Sequence, residues 1–259
     1  LALSQTALIG SLALACVWET IAPARPSSRQ ALWRWFNNLL LAVLNHAVLL
    51  LAIPVAYASL VSALDWQHVG LLQRANVHPA VAVIVLMLAI EAVGYFMHRI
   101  YHEVPLLWRL HAVHHSDTEL DFSTAYRHHV LEVLLTALAT LPVLMVLGPD
   151  VSVLVAYQLL SALVVALSHA NISFGPVLDR VLAWVIVTPD FHRVHHSSDV
   201  RFTNSHYCTV TPIFDHLLGT AHAPQDVPQP EAEMGLEYFR EPRYLRLDRL
   251  LMLPFTWKA

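Results

Sequence analysis

The chain has 259 residues, 56% hydrophobic and 13% charged, with a formal net charge of -4. So apolar a composition excludes an ordinary soluble domain and makes a lipid bilayer the expected solvent, and the weak acidic balance gives no basic footprint for nucleic acid. The two cysteines, Cys16 and Cys208, form no disulfide framework.

A helix crossing a hydrocarbon core needs roughly 20 apolar residues. Spans are predicted at residues 1–18, 38–64 and 79–97, followed by two shorter ones at 131–147 and 151–168. The first lacks the basic start and cleavage site of a signal peptide and is read as a retained span. The last two are joined only by Gly148-Pro149-Asp150, so they form a helical hairpin that barely crosses, or dips in and returns. The expected fold class is all-α: an integral membrane helical bundle of about three full spans plus a short hairpin. Arg25, Arg29 and Arg34 follow the first span, whereas the loop from Asp65 to His78 has only Arg74, so the first connection is expected in the cytoplasm. Alternate threading then places residues 98–130 and everything after about 169 on that same cytoplasmic side, as a cap. Trp33, Trp35, Phe36, Trp66, Trp108 and Trp184 lie near span ends, where interfacial anchors sit, although core packing fits each nearly as well. Pro224 to Pro230 reads as a linker, and Tyr244 to Trp257 as an amphipathic helix lying at the interface or packed on the cap. We read one domain: N-terminal spans 1–97, a His-motif core 98–220 that includes the hairpin 131–168, and a C-terminal linker and helix 221–259.

The histidines carry the chemistry. HAVHHSD at 111–117 and HRVHHSSD at 192–199 repeat one pattern 81 positions apart. A random chain of this composition would contain H-x-x-H-H about 0.07 times. In a helix, His111, His114 and His115 share one face, and so do His192, His195 and His196. Upstream, His98 and His102 stand one turn apart on an extension of the third span that Pro105 breaks. So many buried imidazoles need partners, and a metal supplies them. Imidazole suits zinc, copper, iron and nickel, and eight ligands are about twice what one tetrahedral ion uses, so two ions are implied. A zinc hydrolase would bring a Glu general base, yet HRIYH is not H-E-x-x-H. A metal transporter, or a non-catalytic metal binder, is the rival; a transporter would place its polar residues at mid-span. A redox pair of irons at the membrane surface, reaching lipid C–H bonds, fits better, although imidazoles alone do not identify the element.

From about Glu91 to Thr220 the sequence resembles the fatty acid hydroxylase and sterol desaturase superfamily of membrane di-iron oxygenases, bacterial members especially, through its H-x3-H, H-x2-H-H, H-x2-H-H series. The resemblance implies an O2-dependent hydroxylation or desaturation of a fatty acyl chain, sterol or related lipid taken from the bilayer. It implies two iron ions, which zinc can replace in a purified sample, and a separate redox partner protein as external electron donor. The membrane would be the bacterial inner membrane, or the endoplasmic reticulum in a eukaryote. It adds a ligand matching His169, giving nine catalytic and metal-binding residues: His98, His102, His111, His114, His115, His169, His192, His195 and His196. Ser173 stands where some members carry a further His. An R-x-H-x-x-E element matches Arg127, His129 and Glu132, as support or a tenth ligand. His206-Tyr207-Cys208 and Phe214 to Thr220 stand where Asn-Tyr-Gly and Trp-Asp-Arg-Leu-Phe-Gly-Thr are usual, so His206 is a second candidate for an extra ligand.

Beside these, Glu91 shares the helical face of His98 and either orients a ligand or pairs within the bundle; Asp190 beside His192 has the same two readings. Asn171 is read as structural and His46 as a hydrogen-bonded core residue of the second span, with His68, His78 and His222 in solvated loops. The chain shows no Rossmann glycine fingerprint, P-loop or haem domain, so reductant is expected from outside.

Overall fold

A computed structural model describes residues 2–64, 70–222 and 233–257, with side chains of 2–8 and 63–64 left aside. His68, Trp66 and the Pro224–Pro230 linker lie outside the described residues. Among the described residues the regular structure is helical, apart from one antiparallel bridge between Ser197 and Met234.

Five apolar helices form the body: α1 (Ala2–Ile21), α2 (Ala31–Leu64), α4 (Pro79–Glu103), α6 (Val130–Leu147) and α7 (Val151–His169), with the short α3 (Leu71–Ala75) between α2 and α4. Four of them, α2, α4, α6 and α7, are long and apolar enough to cross a membrane; the described apolar part of α1, Ile9–Ile21, is shorter. Only 11% of the most apolar window of α2 is buried, and Leu51 there is 76% exposed. Such a surface is stable only against lipid. His46 is also on the outer face of α2, not in a core as expected.

The helix of α2 is 34 residues long, about 51 Å, well beyond the hydrocarbon thickness. Its first turns, WRWFNN, put Arg34, Asn37 and Asn38 on a buried polar face, which is why the helix begins before the apolar run that sequence hydropathy detects.

Gly148, at a φ of 54°, makes the tight turn between α6 and α7, where an added Cβ would sit 2.5 Å from the Cα of Gly70. The turn is the one expected, and the two helices, 18 and 19 residues, are just long and apolar enough to cross a membrane. They also flank α4, which packs against both, with α2 outside α6 and α1 outside α7. Ala15 of α1 meets Ala166 and Ala170, small residues that let the backbones approach.

The cap is built from α5 (Pro105–His115), α8 (Pro176–Leu182), α9 (Pro189–His195), α10 (Val200–Thr203), α11 (Ile213–Leu218) and α12 (Leu247–Thr256). Leu250 and Leu253 of α12 are buried against Ala112 and Val113 of α5, so the C-terminal helix packs on the cap while its Met252 and Phe255 stay exposed. The connection between α1 and α2 lies at this same end, since the Ala24 amide donates to Asn171 O (2.8 Å) and the Ser28 amide to Glu119 Oε2 (3.1 Å).

One glycine locks the cap over the two H-x-x-H-H motifs. Gly235, at a φ of 86°, donates its amide to His196 O, and a Cβ there would lie 2.7 Å from Asp117 O. Gly235→Ala is expected to lower stability by about 2–4 kcal/mol, from the left-handed backbone and the clash together. Thermal unfolding in detergent checks this; an unchanged midpoint would mean that the strap is not fixed there.

Candidate metal centre

Helix α4 runs on past its apolar stretch to Glu103, presenting His98 and His102 one turn apart, and Pro105 starts α5 after the break at Val104. Helix α5 carries His111, His114 and His115, the last residue of α7 is His169, and α9 carries His192 and His195 with His196 at its C-cap. Eight of these nine rings are buried, and His102 is partly so.

The rings sort into two pockets. Ligand atoms of His98, His102, His111, His115 and His195 lie within 4.8 Å of one another, and so do those of His114, His169, His192 and His196. Each H-x-x-H-H copy therefore serves both pockets: the first gives two rings to one and His114 to the other, and the second gives His195 to one and two rings to the other. Helical spacing explains the split, because ring i+3 and rings i and i+4 leave the helix in different directions.

The hydrogen bonds fix which nitrogen faces inward. In the first pocket, Nδ1 of His98 donates to Tyr207 O (2.7 Å), Nδ1 of His195 to Ser205 O (2.7 Å), Nδ1 of His102 to Asn204 Oδ1 (3.1 Å) and Nδ1 of His111 to Glu132 Oε1 (2.8 Å). These acceptors have no proton to give, so Nδ1 carries the hydrogen and Nε2 keeps its lone pair. All five Nε2 atoms are buried without a partner. Orphaned acceptors converging on one point are what a bound cation relieves. In the second pocket, Nδ1 of His169 donates to Val165 O (2.9 Å). Its Nε2 faces Nε2 of His192 at 2.9 Å and of His114 at 3.4 Å, and His196 Nε2 stands 3.2 Å from His192 Nε2. One N–H can serve a pair of these nitrogens but not all four together, whereas a single cation would take a lone pair from each. Burial, and then the crowding of neighbouring imidazoles, holds His114, His115, His192, His195 and His196 well below the usual histidine range, hence neutral and ready to ligate.

The expected supporting residues divide. Glu132 is in place: its Oε1 accepts from Nδ1 of His111 and of His128, both at 2.8 Å. His129 does not reach the pockets. It caps α6 by accepting the Leu131 amide, and its Nε2 lies 3.2 Å from Leu251 O. The extended backbone at this N-cap turns the ring toward α12 and leaves its neighbour, His128, stacked on His114 at 4.2 Å and 13°. His128 was missed in the sequence, although its spacing of four from Glu132 was a legible signal. Arg127 supports the centre from behind, donating to Val113 O, Ser116 Oγ and Asn38 Oδ1.

His206 is not among the ligating groups. Its positive φ of 55° directs Nε2 to the His222 amide (2.9 Å) and the ring onto Phe191, and burial with His222 and His216 nearby lowers its pKa to about 3. Asp190 forms an ion pair with Arg193, which donates to Ile172 O, so it braces α9 instead of a ligand. Asn171 is structural, joined to the Arg25 amide and carbonyl. Glu91 accepts the amides of Thr209 and Val210, and Asp215, to which no role was given, accepts those of Tyr207 and Cys208. Both carboxylates thus pin the loop whose Tyr207 carbonyl orients His98. A second unforeseen support joins Arg34 to Asp117 and Asp121, with Asp117 also bonded by Asn38 and Thr124. His128→Ala is expected to cut activity by about 10-fold or more, as loss of a group that orients a ligand does, whereas His129→Ala should cost only a helix cap, about 1 kcal/mol. Activity paired with thermal unfolding separates the two; the reverse pattern would restore His129 to the site.

The fatty acid hydroxylase family model matches residues 83–220. The chain is 37% identical over 145 residues to the ornithine lipid hydroxylase OlsE of Rhizobium tropici, covering 54% of this chain and 42% of that protein. It is 32% identical over 130 residues to the alkylglycerol monooxygenase of Homo sapiens, covering 50% and 28%. To the very-long-chain aldehyde decarbonylase GL1-1 of Oryza sativa subsp. indica it is 27% identical over 213 residues, covering 79% and 32%. The matches thus span less than half of each relative's own length. No solved structure matches the chain.

Proposed function

Because the chain belongs to the fatty acid hydroxylase family, we propose that it is a membrane-embedded oxidoreductase that uses O2 to oxidise a lipid at the nine-histidine centre. The observation that carries this reading is the set of five buried, orphaned Nε2 atoms converging in one pocket, beside four Nε2 atoms that face one another in the other. The donor set is all imidazole in both pockets, with Glu132 bonded to ring N–H groups. Such a set suits iron, and zinc competes for it in a purified sample. His98, His102, His111, His115 and His195 would hold one iron ion and His114, His169, His192 and His196 a second, and the pair would supply the redox chemistry that oxidation of an unactivated C–H bond requires. The chain's own residues position and enclose. Carbonyls of Tyr207, Ser205 and Val165 and the carboxylate of Glu132 hold rings with Nε2 inward, and burial keeps bulk water from the reacting carbon.

Hydroxylation is favoured over desaturation by the relatives named as a hydroxylase and a monooxygenase, and the substrate is a lipid bearing an alkyl or acyl chain, taken from the bilayer. Electrons come from a separate redox partner protein. The histidine end faces the cytoplasm, on the arginine bias of the α1–α2 connection; with Arg34 buried in its ion pairs, that bias rests on Arg25 and Arg29. The whole chain acts as one domain, residues 98–220 holding the centre. A transporter would need a polar path through the spans, whereas the nine imidazoles gather at one end. Lipid extracts of cells with the active protein and with an inactive variant are the test. A lipid gaining one oxygen supports hydroxylation, and one losing two hydrogens supports desaturation. No lipid change, together with metal flux in liposomes, would support the transporter.

A further inference from the structure

The segment from Pro176 to Val185 has an outer side that is apolar except for the exposed Arg180, whose long stem lets its charge reach the headgroups. Val177, Val181, Trp184 and Val185 recur at helical spacing along its outer side, with Val177 78% and Trp184 67% exposed. The acidic residue, Asp179, is turned inward until its Oδ1 is closed to solvent. A cap helix in water would show the opposite pattern. The patch continues onto α11: Trp184 stacks on His216 at 4.4 Å and 18°, and the next residue, Leu217, is 70% exposed.

The inner side of the same segment identifies what covers the outer side. Ala183 of the segment, with Ile186 and Val187 directly after it, belongs to one apolar cluster with Met87 and Tyr95 of α4 and Val164 of α7. Those three lie within helices long and apolar enough to cross a membrane. A segment whose back rests on the spans has its front at the depth of the lipid.

We propose that residues 176–185, with Leu217, are immersed among the acyl chains of the leaflet that borders the histidine centre. Within this frame Trp184 sits eight residues before His192, so the immersed segment leads directly into the second ligand motif. The inference rests on the membrane reading of the spans and not on the oxidative chemistry.

The test places an environment-sensitive fluorophore on single cysteines, Val177→Cys or Val181→Cys, in a background with Cys16 and Cys208 changed to alanine. The protein is reconstituted in phosphatidylcholine vesicles with or without acyl-chain doxyl quenchers. Leu51→Cys on the outer face of α2 reports the lipid, and Arg201→Cys on the exposed cap reports water. Both outer positions are surface sites, so folding is not at stake, and either serves if the other labels poorly. Quenching at residues 177 and 181 on the scale of residue 51 is the expected result. Values matching residue 201, with residue 51 still quenched, overturn the proposal while leaving the spans intact. Unquenched Val181→Cys that forms a disulfide-linked dimer overturns it in favour of a second copy of the chain, and failure of residue 51 to quench removes the membrane reading and the proposal together.

Discussion

His114→Ala and His195→Ala are each expected to abolish turnover, by about 10³-fold or more, and to lower the metal content from two ions toward one per chain. The geometry sharpens the expectation, because His195 belongs to the five-ring pocket and His114 to the four-ring pocket, so each substitution opens a different one. Both should also lose thermal stability, since removing one ring leaves its buried neighbours without a shared partner. If both pockets serve one reaction, as proposed, the double variant should be little worse than either single. His46→Ala, on the outer face of α2, is the matched control and keeps both metals. Metal analysis and turnover of the four proteins check this. Substantial activity surviving either single change, with both metals bound, would show one copy of the motif to be structural.

Acid unfolds the metal-free protein steeply. His114, His115, His192, His195 and His196 are held well below their ordinary range by burial first and by neighbouring imidazoles second. Above the unfolded pKa of about 6.5 both states are neutral and there is no penalty. As pH falls below it the unfolded chain binds protons that the folded chain refuses, so stability is lost, by at most about 1.4 kcal/mol per pH unit for each ring. Several such rings act in the same direction, so stability should fall steeply once the pH drops below about 6.5. Tryptophan fluorescence of metal-free protein in detergent across pH 5–8 measures it. A flat profile would mean that the rings are solvated or already protonated.

How much of this was legible depends on whether a feature is local. The clustering of the histidines was, because three-and-four spacing fixes a helical face whatever the fold, and Pro105 and Gly148 mark their turns by backbone chemistry alone. The role of His128 was only half legible: its spacing of four from Glu132 was there, but that His129 turns away depends on the extended backbone of an N-cap, one residue outside the helix that the R-x-H-x-x-E pattern assumes. His206 was misjudged for a similar reason, its left-handed backbone sending the ring to the His222 amide. The hairpin was legible as a turn but not as a packing arrangement, since only tertiary structure places α4 against both of its helices. Arg34 was counted as a topological charge, yet its partners Asp117 and Asp121 lie more than 80 residues away, beyond the reach of any spacing rule.

The central claim is that two interleaved pockets, each drawing on both copies of one motif, hold two metal ions. Purified anaerobically after expression with iron, the protein should contain about two metal ions per chain by elemental analysis, five- and four-ring pockets each holding one. Zinc in place of iron would leave the stoichiometry, and the claim, intact. One tightly bound ion per chain, or none, would contradict it.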